Sequence, residues 1–336
     1  MQYKSIDLLK FVMAIMVVGI HADAIVDEDM PFLLSMMARW AVPFFFITSG
    51  FLLFRKISAV GDVLKPDGLL SVKQYVHKSA RLYVVWTLLY LPVTLFVFCL
   101  NDRSWGMDVL VFIRGFLFVG EQAYSWPLWY LLATVVAVFL IGVGLRCRMK
   151  LSVIFVVGVV LMGLGWWLQL ALDAYAEVGS QPFFLWAYRM VFGSTRNGVF
   201  SGLALVAAGM MVWRFGWARK QFLPLQVLLI LTGGVLAYFK LPYATLFSGV
   251  GVFCVALQIN LQGSLLFYRR LRTLSILLYF THMYFVAGLS FLMKTNWQSL
   301  GFYPTWGLLF VLDLSFSLLL LYFSERPAGK WLGKLL

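Results

Sequence analysis

The sequence predicts an all-α polytopic membrane protein of about ten transmembrane helices, both termini cytoplasmic, with a polar cavity enclosed by the bundle. Three observations predict it. The chain is 62% hydrophobic and only 12% charged, where a soluble domain carries about twice that charge. Apolar stretches recur along all 336 residues at close to the ~20-residue length that a bilayer core requires. The connections between them alternate in charge, basic then acidic, as orientation signals do.

The predicted spans are 6–26, 35–54, 82–100, 127–145, 151–170, 197–213, 222–239, 243–260, 274–292 and 304–323. One set of connections carries Lys4, Arg55, Lys56, Lys65, Lys73, Lys78, Arg81, Arg146, Arg148, Lys150, Arg214, Arg219, Lys220, Arg269, Arg270, Arg272, Arg326, Lys330 and Lys334. The opposite set holds mostly acids: Asp23, Asp27, Glu28, Asp29, Asp102, Asp108, Glu121, Asp173 and Glu177. The positive-inside rule then puts both termini in the cytoplasm. It also accounts for the net charge of +13 without nucleic acid, leaving lipid headgroups and an anionic cofactor as the expected partners. The first apolar run is too long for a cleaved signal peptide and is kept as the first span. The whole chain, 1–336, is read as one integral-membrane domain with no separate soluble domain. Cys99, Cys147 and Cys254 are scattered, without disulfide or zinc spacing. No metal site is expected: the three histidines lie on three different segments.

The first span, SIDLLKFVMAIMVVGIHA (5–22), is apolar but carries Asp7, Lys10 and His21. Ionisable groups are expensive inside a bilayer and usually face a hydrated interior. Lys10 and His21 are eleven positions apart, three helical turns plus about 20°, so they share one face about 16 Å apart along the axis. Asp7 is on the same side. In the second span Pro43 is expected to kink the helix, and Thr48-Ser49-Gly50 to give close packing or a polar notch. The inner loop 55–81 ends with Lys78 and Arg81 one turn apart. Residues 107–119 are too short to span comfortably and read as an outer-surface or re-entrant helix interrupted by Arg114. Trp126, Trp129 and Tyr130 suit an interfacial aromatic belt. The outer loop 171–196 mixes aromatics with Arg189 and Arg196, a composition that fits a sugar-contacting surface as well as a belt. The ninth span buries His282 with Tyr279 one turn earlier. The tenth carries Asp313, for which a polar neighbour on another span is expected.

Five stretches together resemble the membrane-bound acyltransferase-3 family, the O-acyltransferases of bacterial envelope and exopolysaccharides. They are Asp7 with Lys10 and His21, where the family often has Arg in place of Lys; VPFFFITSGFLL (42–53); the basic pair Lys78 and Arg81 in place of two arginines; WPLWYLL (126–132); and SILLYFTHMYF (275–285). The resemblance covers almost the whole chain. Some members carry Glu after the tryptophan segment, whereas this chain has aliphatics there. Membrane domains fused to amino-acid racemases share the architecture, and no racemase domain is expected within this chain.

The resemblance implies transfer of an acyl group, usually acetyl, from cytoplasmic acyl-CoA to a hydroxyl of an envelope or exported glycan or lipid-linked sugar, in the bacterial cytoplasmic membrane. A hydroxyl attacking a thioester needs a base, and imidazole suits neutral pH. His21 is the candidate catalytic base; a structural histidine bonded to a neighbouring helix is the bland alternative. Lys10 and Asp7 belong with it, as an ion pair or with Lys10 on a phosphate. Lys78 and Arg81 are the candidate coenzyme A phosphate ligands, against plain positive-inside charge. The thioester would then run inward along the Lys10–His21 stripe. Arg39, Ser49, Trp126, Trp129, Tyr130, Arg196 and His282 are candidate acceptor contacts; each has a packing, belt or surface alternative. The competing class is a transporter of a small polar solute or lipid-linked sugar, which requires neither the basic pair nor a base.

Overall fold

The computed structural model describes residues 3–26, 28–59, 66–178, 182–296 and 301–329. Asp27, Lys65, Lys330 and Lys334 lie outside them. The regular structure among the described residues is helical, with no strand. Among them, nine helical stretches are long and apolar enough to cross a membrane. The expected span 243–260 is a shorter apolar helix, Ala244–Gln258. The protein is thus the all-α polytopic membrane protein that composition predicts.

The chain forms two compact units. The first comprises Met1–Phe45 and Val255–Leu336. It contains α1 (Lys4–Asp23), α2 (Phe32–Ala38), α12 (Leu265–Asn296) and α13 (Phe302–Ser324). α1 packs on both α12 and α13. The indole of Trp306 donates to the Ile15 carbonyl at 3.2 Å, which fixes α13 against α1. Gly19 makes room there, since a Cβ on it would lie 3.3 Å from that indole. Glu28 accepts from the Phe302 amide at 2.9 Å, satisfying a donor that the start of α13 leaves open. At the other end Arg270 grips Glu325 through two bonds of 2.9 and 2.8 Å. That guanidinium holds the Glu325 carboxyl below its usual range. As an exposed pair it contributes little stability.

The second unit is Phe46–Cys254. It holds most of α3 (Ala41–Ala59), then α4 (Pro66–Leu100), α5 (Trp105–Arg114), α6 (Trp129–Arg146), α7 (Leu151–Val178), α8 (Phe183–Phe192), α9 (Leu203–Phe215), α10 (Leu223–Tyr238) and most of α11 (Ala244–Gln258). α9 is its centre, with Leu203 to Val212 buried without a break. Small residues allow that. A Cβ on Gly50 would sit 1.9 Å from the Val206 carbonyl oxygen, and one on Gly209 2.0 Å from that of Ile47. α3 and α9 therefore touch backbone to backbone, the small-residue packing that membrane helices favour. Of the two readings of Thr48-Ser49-Gly50, Gly50 serves close packing.

Three local expectations change. Pro43 does not interrupt a helix: the chain turns at Arg39 and Trp40, and α3 starts at Ala41. Pro43 then falls in the first turn, where its missing N–H removes no bond. The inner loop 55–81 is helical from Pro66 onward, so Lys78 and Arg81 are mid-helix residues of α4, both exposed. The outer loop 171–196 is the end of α7 followed by α8.

Candidate active site

α1 is one unbroken helix from Lys4 to Asp23. The Lys10–His21 face is therefore continuous, with the two residues about 16 Å apart by helical rise. Asp7 is buried, while Lys10 and His21 are half-buried. Facing His21 is His282 of α12. The two imidazoles stack with centroids 5.2 Å apart and planes 26° from parallel.

His282 is fully buried. Its Nδ1 lies 2.8 Å from the Leu278 carbonyl oxygen, one turn back on the same helix. A carbonyl only accepts, so Nδ1 carries the proton and Nε2 the lone pair. Nε2 has no hydrogen-bond partner among the described residues. A buried nitrogen left open is costly and persists at sites that use it. Tyr279 borders the pair, 6.4 Å from the His282 ring and edge-on to Phe45 at 5.6 Å. One residue before His282, Thr281 bonds the buried Asp313 at 2.6 Å and the Leu277 carbonyl at 2.8 Å. The polar neighbour that Asp313 needs in a bilayer is thus Thr281 on α12. The histidines are far apart in sequence, and no spacing rule pairs them; the cue was only that each breaks an apolar span.

Of the remaining candidates Arg39 belongs to the first unit and the others to the second. Arg39 is exposed at the end of α2. In the second unit Ser49 Oγ lies 3.0 Å from Tyr130 Oη. Trp129 is buried, 9% exposed, beneath the Arg196 guanidinium at 4.8 Å, and Arg196 also pairs with Glu121. Trp126 is half-buried. Trp129 and Tyr130 are therefore packed into the protein rather than lying on a lipid-facing belt. Lys78 and Arg81 are exposed along α4. Among the described residues no group of three or more His, Cys, Asp or Glu is placed to hold a metal.

A bundle of apolar spans with a stacked imidazole pair on two of them defines a multi-pass membrane protein with a polar site on its helices. Residues 3–331 match the acyltransferase-3 family, described as an acyltransferase domain, and the chain belongs to that family of membrane acyltransferases. It is also similar to an amino-acid racemase of Enterococcus faecalis, 30% identical over 62% of this chain and 29% of that protein. A serine/alanine racemase of Enterococcus gallinarum is 26% identical over 88% of this chain and 42% of its own length. The chain thus spans less than half of the curated relatives it matches. No solved structure matches it.

Proposed function

We propose that this membrane acyltransferase is acyl-CoA-dependent and moves an acyl group, most simply acetyl, to a hydroxyl of an envelope or exported glycan or a lipid-linked sugar. The membrane would be the bacterial cytoplasmic membrane. The observation that carries the reading is the His21–His282 stack, 5.2 Å between centroids, on helices α1 and α12. In this reading His21 takes the proton of the acceptor hydroxyl as its oxygen attacks the thioester carbonyl. The carbon–sulfur bond breaks, and the proton passes to the departing thiolate, giving the ester and free coenzyme A. His282 is a positioning residue: its Nδ1 is held by Leu278, which fixes the ring against which His21 stacks. Lys10 and Asp7 supply charge on the same helix face. Lys78 and Arg81 take the coenzyme A phosphates. Arg39, Ser49, Trp126, Trp129, Tyr130 and Arg196 are assigned to the acceptor side, with His282 beside the reacting hydroxyl.

The direct test is release of free thiol from acetyl-CoA by the purified protein, with and without acceptor glycan. Acceptor-dependent release supports the reading, and no release with any acyl-CoA refutes it. Charge reversal of both Lys78 and Arg81 to Glu is expected to raise the KM for acyl-CoA about ten-fold or more with kcat little changed; an unchanged KM assigns the pair to membrane orientation alone. His282→Ala is expected to cut kcat about ten- to a hundred-fold, and to shift the pH profile of kcat, which a loss of packing alone would not do.

A second reading is favoured by the names of the relatives. A serine/alanine racemase matches most of this chain with less than half of its own length. The chain would then pass a small amino acid across the membrane. Uptake of labelled serine or alanine into proteoliposomes, without thiol release, would decide for it.

A further inference from the structure

The second unit contains a cavity of about 780 Å³ that includes none of Lys10, His21 or His282. That size falls within the range of small-molecule sites, ~300–1,000 Å³. It lies where α4 ends, α5 begins, and the segments 115–126 and 193–201 meet. The charge alternation of the connections puts these segments on the outer side.

Two features mark it as a built site. Both π-helical turns among the described residues, Gly115–Val119 and Gly198–Gly202, contribute to its wall. Such turns are rare and concentrate at functional sites. The first packs closely at Gly115: a Cβ there would lie 2.4 Å from the Glu121 carbonyl oxygen and 2.6 Å from Gln122 Nε2. Gln122 is thereby drawn into the wall, its amide bonded to the Phe112 carbonyl at 2.8 Å. The second feature is Asp108, in the first turn of α5. It lines the cavity, is 2% exposed, and its Oδ1 has no hydrogen-bond partner among the described residues. A buried carboxylate oxygen left open costs several kcal/mol in general, so the site calls for a donor.

The neighbours define what donor. Arg114 is occupied with the carbonyls of Val191 and Arg189 at 3.3 and 3.4 Å, at the end of α8. Arg196 is engaged with Glu121 and the Trp129 ring. A bound anion would face the buried Asp108 carboxylate, with Arg114 and Arg196 already committed and the exposed Arg103 as the further guanidinium on the wall. A bound metal cation would face those same guanidinium groups with little carboxylate to hold it. A hydroxyl-rich neutral ligand meets neither objection: it donates to Asp108, and Trp126, stacked on Tyr124 with centroids 5.8 Å apart, adds aromatic surface to the cavity wall for a sugar ring.

We infer that this cavity binds a neutral glycosyl unit, with Asp108 accepting from a sugar hydroxyl and Trp126 covering the ring. Calling that unit the acyl acceptor rests on the function proposed above; the binding itself does not. The test is titration calorimetry on the full chain in nanodiscs. The probes are maltose and N,N′-diacetylchitobiose, with inorganic phosphate and calcium as charged controls. One of the disaccharides is expected to bind, and Asp108→Asn to weaken it about ten-fold or more. Trp126→Ala is expected to weaken it too, and provides the readout if Asp108→Asn fails to fold. Gly288→Ala, where an added Cβ meets nothing within 4 Å, is expected to leave binding unchanged. Absence of heat with both disaccharides, displacement of the sugar by phosphate, or binding indifferent to both cavity variants would overturn the inference. Sugar binding without thiol release would leave the cavity standing and remove the acyltransfer reading. Acceptor-dependent thiol release without sugar binding would do the reverse.

Discussion

Replacing His21 with alanine is expected to reduce acyl transfer at least about 10²- to 10⁴-fold, the share that a positioned base contributes. The protein should still fold and stay in the membrane. His21 is half-buried, on a helix whose packing is carried by the buried Met13, Ala14, Val17, Val18 and Ala22. Truncating it leaves those residues and the Trp306–Ile15 bond untouched. The effect should fall on kcat rather than on KM for the donor, since a base acts in the transition state and not on the coenzyme A phosphates. Single-turnover transfer, with size-exclusion behaviour as the folding control, checks it. Turnover near wild type in a well-folded variant would reduce His21 to a packing residue. In the proposed mechanism His21→Ala loses the proton acceptor, and His282→Ala only the ring that orients it. The two losses should combine to less than their product, because both act through one imidazole pair.

Gly209→Ala is expected to be among the most damaging single methyls in the second unit. Its Cβ would lie 2.0 Å from the Ile47 carbonyl oxygen and 2.8 Å from the Phe51 amide nitrogen, both backbone atoms that have no rotamer to change. Relief requires moving α3 off α9. Overpacking in a tight core costs about 1–3 kcal/mol, and more where backbone is struck. Gly50→Ala meets the reciprocal obstacle at Val206. The two variants should not add, since either one already separates the helices. Gly288 and Gly307 provide the contrast: a Cβ on either meets nothing within 4 Å. Gly288→Ala and Gly307→Ala should therefore match wild type. Thermal unfolding of the detergent-solubilised protein, followed by fluorescence, measures all four. Equal midpoints for Gly209→Ala and Gly288→Ala would rule out a close α3–α9 crossing.

Much of this is legible in the residues themselves. Spans announce themselves because a bilayer demands runs of apolar side chains, so α1, α6 and α13 begin and end within a few residues of where hydropathy puts them. The polar breaks at Asp7, Lys10, His21, His282 and Asp313 are visible for the same reason. Helix ends in aqueous segments are less legible. There the polar pattern of a loop and of a helical extension are alike, and α4 accordingly starts at Pro66, well before the expected span. Pro43 misleads because the effect of a proline depends on where its helix starts, and that start is fixed by the turn at Arg39 and Trp40.

The sequence by itself determined that this is a polytopic helical membrane protein of the acyltransferase-3 family and which side chains are too polar for their surroundings. Tertiary structure alone decided which of those side chains meet. The stacking of His21 on His282, the sealing of Trp129 under Arg196, and the gathering of Asp108 and Gln122 around one cavity all join residues from different segments. Hydropathy is a property of each segment summed along its own length. Contact between segments depends on helix rotation and on where small residues such as Gly50, Gly115 and Gly209 let backbones approach, and those follow from the packed whole.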